Sequence, residues 1–406
     1  MKFLEERQML VGLLEKGMYV SRLDRDWVGT PFPFQGFEIS SDDDIELLSA
    51  YCTSVFIDVE KSVSPSRPSL RVSAGPRNVF PPRGPEYHNT VGLAEEIPHA
   101  REAHGGLRAL AQRIADDVRN GRRLEPGVVQ EAIEPMVESL IRNADALFWL
   151  MALMKRDDYA YSHAVNCSAL AAAFGRHLAL PREVLVELAT GGFLLDAGMS
   201  SVPAELTHHD GTLDPEAMAL MRGHVGRSME LLDQAGVTGK WARELVAGHH
   251  ERHDGSGYPQ GLAGDKIPLA GRIGGVVDTY DALRSDRPHR NGESRHGALQ
   301  ALYRARDRLF QSEVVEQFLQ CLGVYPTGSL VELSTGEVGV VMAQNQVRRL
   351  RPRLMLLLDK DKQPYSPFRD VDLMNYGADL GDNAVKITQA LEPGAFGLDP
   401  AELFLA

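Results

Sequence analysis

Residues 249–290 read HHERHDGSGYPQGLAGDKIPLAGRIGGVVDTYDALRSDRPHR, and this stretch, about one-tenth of the chain, decides the fold. His249 and His250 are adjacent, and the Asp pair Asp278 and Asp281 follows one helix later. Imidazole and carboxylate together are ligand types for a hard or borderline divalent metal. Gly255, Gly257 and Pro259 make the intervening segment a shaped loop and not a helix. Tyr258 and Arg287 are then placed to face a substrate held at the metal.

HHER, DGSGYP, the helix GRIGGVVDTYDAL and SDRP, in this order and at close spacing, resemble the signature of the HD-GYP family. Its members are bacterial metal-dependent phosphohydrolases, many of which cleave the second messenger cyclic di-GMP.

The bulk composition, 43% hydrophobic and 24% charged, is that of a soluble globular protein. A chain of 406 residues has room for two or three domains with a sizeable core. A formal net charge of −13 argues against nucleic acid or an anionic membrane as the main partner. Cys52, Cys167 and Cys321 lie far apart without Cys-x-x-Cys spacing, so a reducing compartment is expected. The start MKFLEERQMLVGLLEK is acidic where a signal peptide is basic. The longest apolar run, Leu147 to Met154, is too short for a bilayer. The expectation is a cytoplasmic protein without membrane insertion.

Four regions are expected. Residues 1–60 form a small α+β regulatory domain, with a strand in GMYVSRLD, an N-cap at Ser40-Ser41-Asp42 and a buried strand in SVFIDV. This part also resembles a domain of unknown function that often precedes HD-GYP domains. Residues 61–98, rich in Pro, Ser and Arg, read as a linker. Residues 99–322 are expected to form an all-α HD-GYP domain, a helical bundle. ADALFWLMALMK is apolar nearly all round, so Trp149 and Met151 belong to the core. Residues 323–406 are β-rich, with a hairpin around Thr335-Gly336 and a buried strand in RPRLMLLLD. The fold class is therefore mainly α: a helical bundle with a metal between its helices, a small N-terminal α+β domain and a small β-rich C-terminal region.

The resemblance implies a ligand set. One metal would take His163, Asp196, Asp278 and a further histidine; a second would take Asp196, His224, His249 and His250, with Asp196 bridging. Asp196 is thus the implied catalytic centre. Tyr258, in the loop Gly257-Tyr258-Pro259, matches the family's ligand-contacting tyrosine, and Arg287 and Arg290 match its basic pair. Some members carry a Glu one turn before the first His for a third metal. Tyr159 stands there, so at most two metals are expected. His208 and His209, in the polar loop THHDGT, read as a turn element.

The departure lies at the pair itself. The family has His-Asp and, two residues on, a Lys before a Pro; here the sequence is Leu195-Asp196 and Met199, with Leu194, Gly198, Val202 and Pro203 keeping the frame. Leu cannot bind metal. Losing even an indirect partner of a metal costs ~10–100-fold in affinity, and losing a charged donor near the phosphate costs ~10²–10³ in rate. One firmly held ion, iron or manganese, and a second that is weak or absent are expected. The expected function is cyclic di-GMP conversion to pGpG or GMP with impaired or lost catalysis. The alternatives are a non-catalytic regulator that binds cyclic di-GMP or a protein partner, and an active enzyme whose dinuclear site is completed by water. Family loops of this kind resemble docking surfaces for diguanylate cyclase domains, and helical faces near Leu309 to Leu322 are compatible with a homodimer.

Overall fold

The computed structural model describes residues 6–25, 27, 30, 32, 36–52, 54–58, 61–62, 79–81, 84–153, 159–207, 214–285, 292–345, 350–377 and 385–398. These residues fall into two compact units. One draws on Met1–Asn78, Leu322–Pro326 and Leu330–Ala390, the other on Val79–Cys321, Thr327–Ser329 and Leu391–Ala406.

The first unit contains two antiparallel sheets. Its N-terminal part runs β1 (Glu6–Leu10), β2 (Tyr19–Leu23), β3 (Phe37–Glu38), α1 (Asp42–Tyr51) and β4 (Ser54–Asp58), with sheet order β1-β4-β2-β3. β2 and β4 are the strands expected from GMYVSRLD and SVFIDV, and they pair with each other because Val20, Leu23, Val55 and Ile57 must all leave water. Ser41 opens α1 with a reciprocal cap. Its hydroxyl accepts the Asp44 N–H, and the Asp44 carboxylate accepts the Ser41 N–H at 2.9 Å.

The C-terminal part of this unit comprises β5 (Leu330–Leu333), β6 (Val338–Ala343), β7 (Arg353–Leu358), β8 (Pro364–Asp372) and β9 (Ile387–Leu391), in order β8-β7-β6-β5-β9. β5 and β6 form the hairpin anticipated at Thr335-Gly336. Val331, Leu333, Val341, Leu354 and Leu356, with Leu373 and Val385, make the core beneath them.

The second unit is helical: α2 (Leu93–Arg119), α3 (Val128–Arg142), α4 (Ala144–Leu153), α5 (Tyr159–His177), α6 (Arg182–Leu194), a 3-10 turn Ala197–Ser201, α7 (Ala204–Thr207), α8 (Pro215–Arg222), α9 (His224–Gln234), α10 (Lys240–Gly248), α11 (Leu269–Arg284), α12 (Arg295–Ala305) and α13 (Ser312–Leu322). α2 begins at Leu93, earlier than the start at His99 read from the sequence. Pro98 forfeits one backbone bond, but buried Glu96 on the preceding turn accepts from Arg142 of α3 at 2.7 and 2.8 Å and holds that turn in place. Trp149 is buried on α4, as its all-round apolarity demands.

Small residues bring the site helices close. Ala169, Ala171 and Ala172 of α5 are buried. At Gly192 of α6 an added Cβ would lie 2.5 Å from the Cys167 carbonyl oxygen, so only glycine permits this approach of α6 to α5. Among the described residues, no helix is long and apolar enough to cross a membrane.

Candidate metal centre

Five elements bring the expected ligands together. α5 carries His163, the end of α6 leads into Asp196, α9 starts at His224, α10 ends at His249 and His250, and α11 carries Asp278. Two donor groups result: Asp196, His224, His249 and His250, and His163, Asp196 and Asp278. In each, the nearest ligating atoms all lie within 4.8 Å of one another. Asp196 belongs to both. Its Oδ1 faces His224 Nε2 at 3.2 Å and His249 Nε2 at 3.5 Å, and its Oδ2 faces His163 Nε2 at 3.5 Å. Asp278 lies 3.3 Å from His163 through one oxygen and 4.0 Å from His250 through the other.

The hydrogen bonds behind the imidazoles fix their tautomers. His224 Nδ1 lies 2.6 Å from the Met221 carbonyl oxygen and His249 Nδ1 lies 2.8 Å from that of Val246. A carbonyl only accepts, so both Nδ1 atoms carry hydrogen. In the neutral rings both Nε2 atoms are then lone pairs, and they sit 3.4 Å apart. Asp196 Oδ1 is buried between them without a hydrogen-bond partner. With both rings neutral, three acceptors converge on one point, which either a proton on His224 Nε2 or a metal ion relieves. The donor set therefore fits a divalent metal ion, with the backbone carbonyls in the outer orienting role such sites use.

The electrostatics follow from the same convergence. Burial alone would raise the Asp196 carboxyl, but His163, His224 and His249 hold it well below the ordinary carboxylate range. Burial works against charge on His224, yet Asp196 outweighs it and holds that imidazole above its usual range. His250 is pushed far down by burial and by the neighbouring His249, so it stays a neutral donor.

The glycine-rich loop closes over one side. Tyr258 stacks on His250 with ring centroids 4.5 Å apart and stands edge-on to His224 at 6.4 Å. An added Cβ at Gly257 would lie 2.4 Å from both the Arg252 nitrogen and the His250 oxygen, so the loop folds back only because glycine stands there. Buried Glu251 accepts the Gln260 and Leu262 N–H groups at 2.7 and 2.8 Å and ties the loop down. Burial, followed by Asp196 and Asp278, raises the Tyr258 phenol far above its ordinary value.

Leu195 is 1% exposed and brings no donor to either group, while Met199 is half-buried in the 3-10 turn. Ser228 donates to the Leu195 carbonyl at 2.8 Å and accepts the Gly198 N–H at 2.9 Å, which holds the departed segment in register. Arg287 and Arg290 lie outside the described residues, as do His208 and His209. Asp281 takes a part that sequence reasoning did not assign. It lies on α11 one turn after Asp278, with one oxygen 2.8 Å from His163 Nδ1 and the other accepting from Asn166 at 2.9 Å. The i, i+3 spacing was the available signal. Cys167 is also adjacent, with Sγ 3.6 Å from His163 Nε2, and burial lifts its thiol to about 12 against the opposing effect of His163.

Comparison with known proteins fits this geometry. The cyclic di-GMP phosphodiesterase PA4108 of Pseudomonas aeruginosa is 31% identical over 91% of this chain and 90% of its own length. The chain belongs to the HD-GYP family of cyclic di-GMP phosphodiesterases. Three family models match it: an HD domain over residues 144–314, a domain of unknown function (DUF3391) over 6–128, and a KOW domain associated with HD domain over 330–378. The cyclic di-GMP phosphodiesterase response regulator RpfG of Xanthomonas campestris is 34% identical over 42% of this chain and 45% of its own length. The 3'3'-cGAMP-specific phosphodiesterase 2 of Vibrio cholerae is 34% identical over 39% of this chain and 30% of its own. In this HD-GYP chain strands β5 to β8 of the C-terminal sheet thus fall within a module that accompanies HD domains, and the HD match spans both donor groups.

Proposed function

We propose that this protein is a metal-dependent phosphodiesterase that opens cyclic di-GMP to pGpG or GMP, with catalysis reduced by Leu195 and Met199. The observation that carries the reading is the placement of Asp196, whose two oxygens face two separate donor groups. Phosphodiester cleavage calls for that arrangement, because charge must be met on both the attacking and the leaving side.

In this reading His224, His249, His250 and Asp196 hold one ion firmly, while His163, Asp196 and Asp278 hold a second weakly because Leu195 supplies no imidazole. Iron or manganese suits the mixed imidazole and carboxylate set. A bound divalent ion supplies Lewis-acid charge for the phosphoryl oxygens and acidifies water. The chain's own groups do the rest. Tyr258 forms an apolar and hydroxyl-bearing wall beside His250, and Arg287 and Arg290 are the proposed anion contacts. Cys52, Cys167 and Cys321, far apart in the sequence, suit a reducing cytoplasm.

A second reading rests on Leu195 itself. An apolar, buried side chain at a ligand position is what a nucleotide-binding regulator descended from an enzyme would carry. Turnover of cyclic di-GMP by anaerobically purified, iron- or manganese-supplied protein separates the two, with 3'3'-cGAMP as competing substrate and Asp196→Ala as control. Turnover abolished in the control supports the enzyme. Nucleotide binding without turnover supports the regulator and overturns the proposal.

A further inference from the structure

A cyclic dinucleotide is an anion, and beyond a bound metal and the proposed contacts Arg287 and Arg290, few of the described side chains at this site bring positive charge to meet it. Met199 has no charge, and three carboxylates, Asp196, Asp278 and Asp281, already face the imidazoles. Two of the described arginines near the site are committed elsewhere. Arg252 donates to the carbonyls of His249 and Glu251, both at 2.9 Å, and lies over Phe310. Arg284 faces Asp281 at 4.0 Å and the Tyr280 ring at 5.3 Å.

Arg222 is differently placed. It ends α8 two residues before His224, is exposed, and holds its guanidinium carbon 5.1 Å from the centre of the Tyr258 ring. Tyr258 is the same ring that stacks on His250, so the guanidinium stands one ring away from the candidate metal ligands. A contact with a ring face engages the charge of an arginine without using its N–H donors. Among the described residues no hydrogen bond or ion pair takes up its planar fork, which can meet a phosphate in bidentate fashion.

We infer that Arg222 is a phosphate-contacting residue of the nucleotide site and supplies there the positive charge that Met199 does not. The inference rests on the reading above, that the site takes a cyclic dinucleotide. Arg222 and Tyr258 act as a pair: the ring positions the guanidinium, and the guanidinium meets a phosphoryl oxygen at the edge of the metal centre. An arginine can make this substitution from a different helix because its long side chain carries the charge well away from its backbone.

The test compares wild type, Arg222→Gln and Arg222→Lys as full-length, metal-loaded proteins. Cyclic di-GMP affinity, KM, kcat, metal content and Tm are measured for each. Arg222→Gln is expected to weaken binding about 10- to 100-fold, with KM bearing the loss where turnover is measurable. Metal content and Tm stay at wild-type values. Arg222→Lys is expected to recover part of the affinity, since it keeps the charge and loses the fork. Binding by Arg222→Gln within twofold of wild type overturns the inference and leaves the functional reading standing. A fall in Tm that tracks the lost affinity, with Lys no better than Gln, assigns Arg222 to loop packing and also overturns it. Wild-type protein that neither binds nor turns over cyclic di-GMP overturns the functional reading, and this inference with it.

Discussion

His163 and Asp281 form a buried pair, with Nδ1 and Oδ2 2.8 Å apart and side chains 4% and 1% exposed. The carboxylate takes the Nδ1 hydrogen and so turns Nε2 toward Asp196 and Asp278. Asp281 is a positioning residue and not a ligand in this account. Asp281→Asn should leave the helical unit folded by circular dichroism while weakening metal binding ~10–100-fold, the usual cost of losing an outer partner of a ligand histidine. Competition with a chelator of known affinity measures it. Unchanged affinity would show that the helix backbone alone orients His163.

Leu195 allows the opposite experiment, a gain. It follows α6 directly and precedes the shared Asp196, and its neighbours are held by the Ser228 bonds to Leu195 and Gly198. Leu195→His should raise the ion count under limiting iron, with the second ion bound ~10-fold or more tightly than in wild type. Metal analysis beside activity reads both effects. If the count does not change, water already completes the site and the weak-metal account is wrong.

The chemistry-bearing segments were legible because their local constraints are strong. Gly257 and Pro259 enforce a loop, His249 and His250 end a helix, and Ser41 with Asp44 announces a cap. What was not legible depends on distant partners. Nothing in the local sequence tells that Asp281 reaches His163 Nδ1, 118 residues away along the chain, while Asp278 faces Nε2 of the same ring. β8 and β9 were missed because most of their side chains stay exposed or half-buried, so neither carries a clean apolar alternation. The early start of α2 was hidden by Pro98, whose penalty is outweighed by the Glu96–Arg142 pair between helices.

His104 of α2 makes stability depend on pH. It is 5% exposed, its Nδ1 is buried without a hydrogen-bond partner, and burial, helped by Arg108, lowers its pKa to about 4. The unfolded chain, with an ordinary value near 6.5, binds the proton more readily. The stabilisation of the neutral form is therefore complete above about pH 6.5 and is lost as pH falls toward 4. Over that window the loss approaches about 3 kcal/mol. Tm of wild type and His104→Leu, followed from pH 7 to 4, should converge or cross, because only the wild type carries this term. Parallel curves would mean that His104 is not buried as a neutral ring.

Glu251 couples the loop to the metal ligands. It follows His250 directly in the chain and is 4% exposed, and its two oxygens accept the Gln260 and Leu262 N–H groups. Glu251→Ala would leave two part-buried donors unmet, at no more than ~1–3 kcal/mol each. The loop can avoid that penalty by opening, since exposed amides bond water instead. Local opening should therefore exceed global destabilisation. Hydrogen exchange of a peptide covering residues 255–263 should quicken markedly while Tm moves little, and Tyr258 should lose its stack on His250, raising KM for the nucleotide more than it lowers kcat. Exchange as slow as in wild type would mean that Gly257 and its backbone contacts suffice to hold the loop, and that the carboxylate at 251 is dispensable.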